Sequence, residues 1–224
     1  MTNRRAPVPT LERLATYLTF LTELNAHGVD MISSSDIEAR TGINAAQFRK
    51  DLSYFGEFGR PGIGYNIQDL VKRVARILKV EREQRVLLVG AGNLGSAIAG
   101  YPGLRAQNFH IVAVFDNNFS KIGRQLWDLQ IYDTAELKSR NDDLGAKLAI
   151  IAVPASVAQN VADLLVEANV KAILNFAPLT LKLPQGVVAR NVDFVQELAV
   201  LSFHISRDEV DVDSTATDEI ERSV

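Results

Sequence analysis

From residue 10 onward, leucines recur at steps of three and four: Leu11, Leu14, Leu18, Leu21 and Leu24. That spacing is one face of a helix, and Gly28 ends it. A capping box of Ser35 with Glu38 predicts a short second helix, which Thr41 and Gly42 stop. Asn44 caps a third helix over residues 45–55, with Gln47 in the reciprocal position and Ala46, Phe48, Leu52 and Phe55 facing the core. Residues 56–65 hold four glycines and a proline, a composition that suits a tight β-hairpin with Arg60 near its tip. Asn66 with Asp69 opens a fourth helix, whose apolar stripe is Ile67, Leu70, Val71, Val74, Ile77 and Leu78.

Beyond residue 84 the pattern changes. Short apolar β-branched runs at 86–89, 111–115, 148–153, 172–174 and 187–192 read as buried strands. Helices are expected between them at 93–99, at 134–139 behind Asp133, and at 157–168 behind Ser156. Strands alternating with helices predict a doubly wound parallel sheet. The last regular stretch, 193–206, distributes Phe194, Val195, Leu198, Val200, Leu201, Phe203 and Ile205 around nearly the whole helix circumference. A helix apolar on all sides must be buried on all sides, and at this place in the chain a second subunit is the expected cover.

The fold class is therefore α/β: a helix-turn-helix domain with a wing, then a doubly wound Rossmann domain, then a C-terminal helix. The expected domains are residues 1–80, 81–192 and 193–206, with the charged stretch 81–84 as the break. Residues 207–224 carry seven acidic and two basic side chains with few apolar ones, a composition that predicts disorder.

The chemistry is concentrated in two places. Gly90, Gly92 and Gly95 stand at G-x-G-x-x-G spacing between a predicted strand and a predicted helix. In that context Gly90 permits the tight turn, Gly92 lets the backbone approach a pyrophosphate, and Gly95 lets helix and strand pack closely. Ala91, Asn93 and Leu94 complete the loop, whose free N–H groups suit an anion. Asp116 closes the second strand 21 residues beyond Gly95. A carboxylate there can accept both hydroxyls of an adenosine ribose and would repel a 2′-phosphate, which favours NAD(H) over NADP(H). The second place is the third helix, whose face offers Gln47, Arg49, Lys50 and Ser53 for base edges or phosphates. Arg60 in the wing suits a minor groove.

Charge supports that division. Residues 1–80 hold 11 Lys and Arg against 8 Asp and Glu, a net of +3, whereas the other 144 hold 13 against 19, a net of −6. The positive half is the one expected to meet a polyanion. With no cysteine, disulfide and thiolate chemistry are excluded. His27, His110 and His204 form neither a ligand pair nor a catalytic set, so no metal is expected. No apolar run of membrane length and no signal peptide is visible, and a cytoplasmic protein is expected. Two rival functions share the fold: a small NAD-dependent oxidoreductase, which lacks a visible catalytic group here, and a CoA- or nucleotide-binding regulatory module.

Over nearly its whole length the sequence resembles the Rex family of redox-sensing transcriptional repressors. The resemblance rests on Arg49-Lys50-Asp51-Leu52-Ser53-Tyr54-Phe55-Gly56 followed by Gly62-Ile63-Gly64-Tyr65, on Gly90 to Gly95, and on Tyr101-Pro102-Gly103. Asn175-Phe176-Ala177-Pro178 and Asn191-Val192-Asp193-Phe194 complete it. It implies a homodimer that reads a palindromic double-stranded operator of T-T-G-T-G-type half-sites, with Tyr54 added to the DNA-binding set. It implies NAD(H) near Asn175, Phe176, Ala177 and Pro178, and release from DNA when NADH binds. The C-terminal helix would be domain-swapped, inserted between the partner's two domains. Tyr101 and Asp193 would meet across subunits in the closed form, with Phe194 moving alongside. One departure is visible: some relatives carry on the first helix an arginine that pairs with the Asp193 position, and the aligned residue here is Thr19.

Overall fold

Pro7 cannot continue a helix backwards, and it begins one: α1 runs over Val8–Ala26 and ends at His27, after which Gly28 turns the chain with φ +74°. The computed structural model describes residues 6–59 and 62–205; Arg60 and the acidic stretch 207–224 lie outside the described residues. The chain divides into two compact units, Met1–Gln84 with Pro102–His110, and Arg85–Tyr101 with Ile111–Val224.

In the first unit, Leu14, Leu18, Leu21 and Leu24 are buried, whereas Leu11 is exposed at the start of the stripe. β1 (Met31–Ile32) leads into α2 (Ser34–Thr41). The capping box belongs to Ser33 and Asp36, two residues earlier than Ser35 and Glu38. Glu38 is used elsewhere, because its carboxylate accepts from Ala45 N and Asn44 Nδ2, both at 3.1 Å, at the start of the next helix. That helix, α3 (Ala45–Ser53), stops two residues short of the expected end, and Asn44 caps it by accepting from Ala46 N at 2.8 Å. Gln47 does not reach back to the cap; its Nε2 donates to Asp51 Oδ1 at 2.8 Å. Ala46 is exposed, and Ala45 takes the core position instead.

The expected hairpin within 56–65 does not form among the described residues. β2 (Tyr65–Asn66) instead pairs antiparallel with β1, Ile32 opposite Tyr65 and Met31 opposite Asn66. The C-terminal end of this stretch is therefore tied down by a long-range strand pair. Gly64 sits where a Cβ would stand 2.6 Å from Ile32 O, so only glycine fits the crossing. α4 (Ile67–Leu78) follows its Asn66 cap and packs Ile67, Leu70 and Val74 into a core shared with Tyr17, Phe48 and Leu52. Phe48 makes edge-on contacts with Tyr17 and Tyr65, at 4.8 and 5.3 Å between centroids.

The second unit is a seven-stranded sheet. Its strands are β3 (Gln84–Val89), β4 (Phe109–Asp116), β5 (Gln125–Leu126), β6 (Leu129–Asp133), β7 (Leu148–Ile151), β8 (Ala172–Asn175) and β9 (Val188–Asn191), in the order β5-β6-β4-β3-β7-β8-β9. The short edge strand β5 is antiparallel to β6, and β6–β4, β3–β7, β7–β8 and β8–β9 pair in parallel. Helices α5 (Asn93–Ala99), α7 (Leu137–Leu144) and α8 (Ala155–Glu167) connect them, and α6 (Pro102–Ala106) falls in the segment grouped with the first unit. Asp133 caps a 3-10 turn at Thr134–Glu136 that continues as α7. Ser156 is not a cap: α8 already begins at Ala155, with Pro154 in the N-cap position. Leu87, Val89, Phe115, Ile151, Ala162 and Leu165 are among the core residues. Residues 194–205 form α9.

Candidate nucleotide-binding and DNA-recognition sites

The strand order reverses direction at β3, with β4 on one side and β7 on the other. Ligands of doubly wound sheets bind outside the carboxyl ends of the strands at such a point. The glycine loop is there. Gly90 has φ +107°, and a Cβ on it would run into Ala152 O; a Cβ on Gly95 would run into Gly90 O. Both are buried. Gly92 differs: it is exposed and a Cβ on it would meet nothing within 4 Å. The loop is thus closed toward the protein at Gly90 and Gly95, and open toward solvent at Gly92, Asn93 and Leu94. Open backbone at the second glycine fits the close approach of a pyrophosphate.

Asp116 stands at the end of β4 and is only 9% exposed. Its Oδ2 accepts from Ala91 N at 2.8 Å and from Lys121 Nζ at 3.1 Å, while Oδ1 accepts from Asn118 N at 2.9 Å. Burial works to raise this carboxyl, but the Asn118 and Ala91 N–H groups and the Lys121 ammonium together hold it below the usual aspartate range. It is therefore an ionised acceptor that also fixes the glycine loop. Beside it lies a cavity of about 440 Å³, lined by Gly90, Gly92, Asp116, Lys121, Pro154 and Val157 among others. A largely apolar cavity that opens on the glycine loop and holds one ionised acceptor fits the adenosine half of a dinucleotide. Lys121 and the Val153-Pro154 corner were missed in the sequence; the signal for Pro154 was its place just after the strand beside the glycine loop.

Asn175, Phe176, Ala177 and Pro178 do not line that cavity. They leave the same sheet edge one strand further on, beyond β7. Asn175 is fully buried, its Nδ2 donating to Ala177 O, Leu179 O and Asn191 Oδ1 and its Oδ1 accepting from Ala177 N, so it holds the bend. Phe176 packs on Phe194 of α9, 6.1 Å between centroids. Asp193 caps α9, accepting from Val195 N at 2.9 Å. Tyr101 follows α5 and is 62% exposed. Close by, a Cβ on Gly100 would stand 2.6 Å from the Trp127 ring, whose Nε1 donates to Ser96 O at 3.0 Å.

On α3 the exposed polar side chains are Arg49, Lys50 and Ser53, with Tyr54 just after. Arg49 donates to Ser34 Oγ at 2.7 Å. Gln47 is half-buried at the margin of that face. Behind it lies a group the sequence reading passed over as part of a motif: Asp51 is fully buried and accepts from Thr10, Arg13, Tyr17 and Gln47. Its signal was a lone acid on the apolar side of a helix, which requires a buried partner.

Two family models match the chain: the "Putative DNA-binding protein N-terminus" over residues 5–53 and the "CoA binding domain" over 81–179. A redox-sensing transcriptional repressor Rex of Carboxydothermus hydrogenoformans is 44% identical over 91% of this chain and 98% of its own. That of Desulforamulus reducens is 42% identical over 90% and 96%. The chain belongs to the Rex family. Among solved Rex structures, RSP in complex with beta-NAD+ and operator DNA superposes with a TM-score of 0.85 at 32% identity, covering 94% of this chain and 97% of its own. RSP in complex with beta-NADH gives 0.82 at 31%, covering 93% and 98%. Rex proteins are repressors rather than enzymes, so the oxidoreductase alternative falls away. Among the described residues no helix is long and apolar enough to cross a membrane.

Proposed function

We propose that this Rex protein is a cytoplasmic homodimer that holds a palindromic operator through α3 and the wing, and lets go when NADH binds. The observation that carries the reading is the match to Rex repressors over more than nine-tenths of the chain, which spans both compact units. Arg49, Lys50, Ser53 and Tyr54, with Gln47 at the margin, are the proposed DNA contacts, and Arg60 is assigned to the wing on sequence alone. The proposed cofactor residues are Gly90 to Gly95, Asp116 and Asn175 to Pro178; Tyr101, Asp193 and Phe194 are the proposed switch. The glycine loop and Asp116 would hold pyrophosphate and ribose, and the bound nicotinamide supplies the difference in charge that is sensed.

A ligand moves a two-state equilibrium only by its differential affinity for the two states. The reduced ring is uncharged and the oxidised ring cationic, so an apolar closed interface near Phe176 and Phe194 takes NADH at lower desolvation cost. CoA is disfavoured by Asp116, whose ionised carboxylate would oppose a phosphorylated ribose. The test is to titrate NADH, NAD and CoA separately into the protein bound to a duplex of two T-T-G-T-G half-sites. NADH is expected to release the DNA while NAD and CoA do not. Equal operator affinity in saturating NADH and saturating NAD would overturn the reading.

A further inference from the structure

The Asp51 carboxylate lies inside the first unit with no solvent exposure, under the helix that carries the DNA-facing side chains. Arg13 grips it from α1 by two bonds, Nε to Oδ2 at 2.6 Å and a terminal guanidinium nitrogen to Oδ1 at 2.7 Å. Tyr17 OH donates to Oδ2 at 3.0 Å and Thr10 Oγ1 to Oδ1 at 3.1 Å. The fifth donor is Gln47 Nε2, from one turn earlier on α3. Four of these five bonds tie α3 to α1. The fifth does something different, because it fixes an amide at the edge of the exposed face.

An ionised carboxylate has no hydrogen to donate, so only the NH2 end of the Gln47 amide can face it. Burial opposes the charged form of Asp51, but the bonds from Arg13, Gln47 and Tyr17 keep the group ionised below the ordinary aspartate range. The amide therefore has one allowed orientation. Its Oε1 bonds to none of the described residues, and no buried side-chain polar atom among them lacks a partner, so Oε1 faces solvent. One Nε2 hydrogen is spent on Asp51 and the other remains.

We propose that Asp51 is a positioning residue for base recognition: it turns Gln47 so that an acceptor and one N–H point outward together, the pair that matches the N6 amino group and N7 of adenine in a major groove. A free glutamine offers the same atoms in many rotamers and either amide orientation. Held by a buried ion pair, it offers them in one, which converts a flexible polar side chain into a reader of A·T pairs. The proposal rests on the reading of α3 as the DNA-facing helix.

The experiment measures operator affinity of the full-length protein on the T-T-G-T-G duplex and on duplexes in which each A·T pair of the half-site is replaced by G·C. Gln47→Ala is expected to lower the preference at one A·T pair by about 5-fold or more, the lower end of a lost bidentate contact. Asp51→Asn is expected to lower it at the same pair, and the double variant no further, since one residue acts through the other. Val74→Ala, a core truncation on α4, controls for lost stability and is expected to keep the preference. A folded Asp51→Asn protein with unchanged preference, or additive losses in the double variant, would overturn the proposal.

Should Asp51→Asn not fold, side-chain amide exchange in the unaltered protein carries the same test. One Gln47 proton is expected to exchange slowly with water and the other fast, and equal fast exchange of both would sink the idea. If Arg49→Ala with Lys50→Ala leaves operator affinity intact, it is the DNA-facing assignment of α3 that fails, and the proposal falls with it.

Discussion

Asp51 and Asp116 are both buried aspartates, yet they anchor different things: one an ion pair between two helices, the other a loop of backbone N–H groups. Each is held below its ordinary pKa by its donors. For Asp51 the stability so gained is complete above the unfolded value, about 3.9, and is lost as pH falls through the lower folded value. Urea unfolding at pH 7 and at pH 3 should therefore show a larger loss for the unaltered protein than for Asp51→Asn. Equal losses would contradict the anchor. Tyr17 works at the other end of the scale, since burial first, then its bond to Asp51, raises its phenol. Its contribution is complete below about pH 10 and is lost only as pH rises beyond that. For Asp116 the readout is selectivity. Asp116→Ala should weaken NADH binding and narrow the preference over NADPH, because the ribose acceptor and the repulsion of a 2′-phosphate vanish together; fluorescence titration with both nucleotides checks it.

The glycine loop separates two roles at the level of the element. Gly95→Ala would drive a methyl group into Gly90 O, so both thermal stability and NADH affinity should fall. Gly92→Ala has open space and an extended φ of −84°, so the protein should melt as before while NADH affinity drops. A Gly92→Ala protein with undiminished affinity would remove the pyrophosphate from that position. Glycine loop, α1 and α4 were legible in the sequence because their signals are local and periodic. The α2 cap was not: Ser33, Ser34 and Ser35 stand in a row before Asp36 and Glu38, and two capping boxes fit. The choice depends on Glu38 being needed at the start of α3. The wing failed for a similar reason. Glycine content announces a turn but not its partner strand, and Tyr65–Asn66 pairs with residues more than thirty positions away. Of the candidate sites, the loop glycines and Asp116 were readable as a motif, whereas Lys121 and the Asp51–Gln47 bond emerge only when separate segments meet.

At the scale of the whole molecule, α9 presents its apolar side chains to solvent within the single chain: Val195, Leu198, Leu201, Phe203 and Ile205 are each more than half exposed. A surface of that kind on one element calls for a partner. Deleting residues 193–224 should yield monomers or aggregates and weaken operator binding, because the proposed homodimer would no longer read two half-sites together. A truncated chain that sediments as a clean dimer would refute this. The first helix bears on the proposed switch. Thr19 turns its hydroxyl back to Ala15 O, and Arg13, the sole basic residue of α1, is already bound to Asp51. No cation of α1 is left for Asp193, so Tyr101→Phe should blunt the NADH response more than Thr19→Ala, as operator release curves would report. A different consequence follows from the indole beside Gly100. Trp127 is the one tryptophan of the chain, and its ring leans on the helix that begins at the glycine loop. Indole emits where reduced nicotinamide absorbs and the oxidised ring does not. If the proposed nicotinamide site holds, the molecule carries its own optical gauge: loss of tryptophan light with NADH, and none with NAD, would read out which form of the nucleotide is bound without a label.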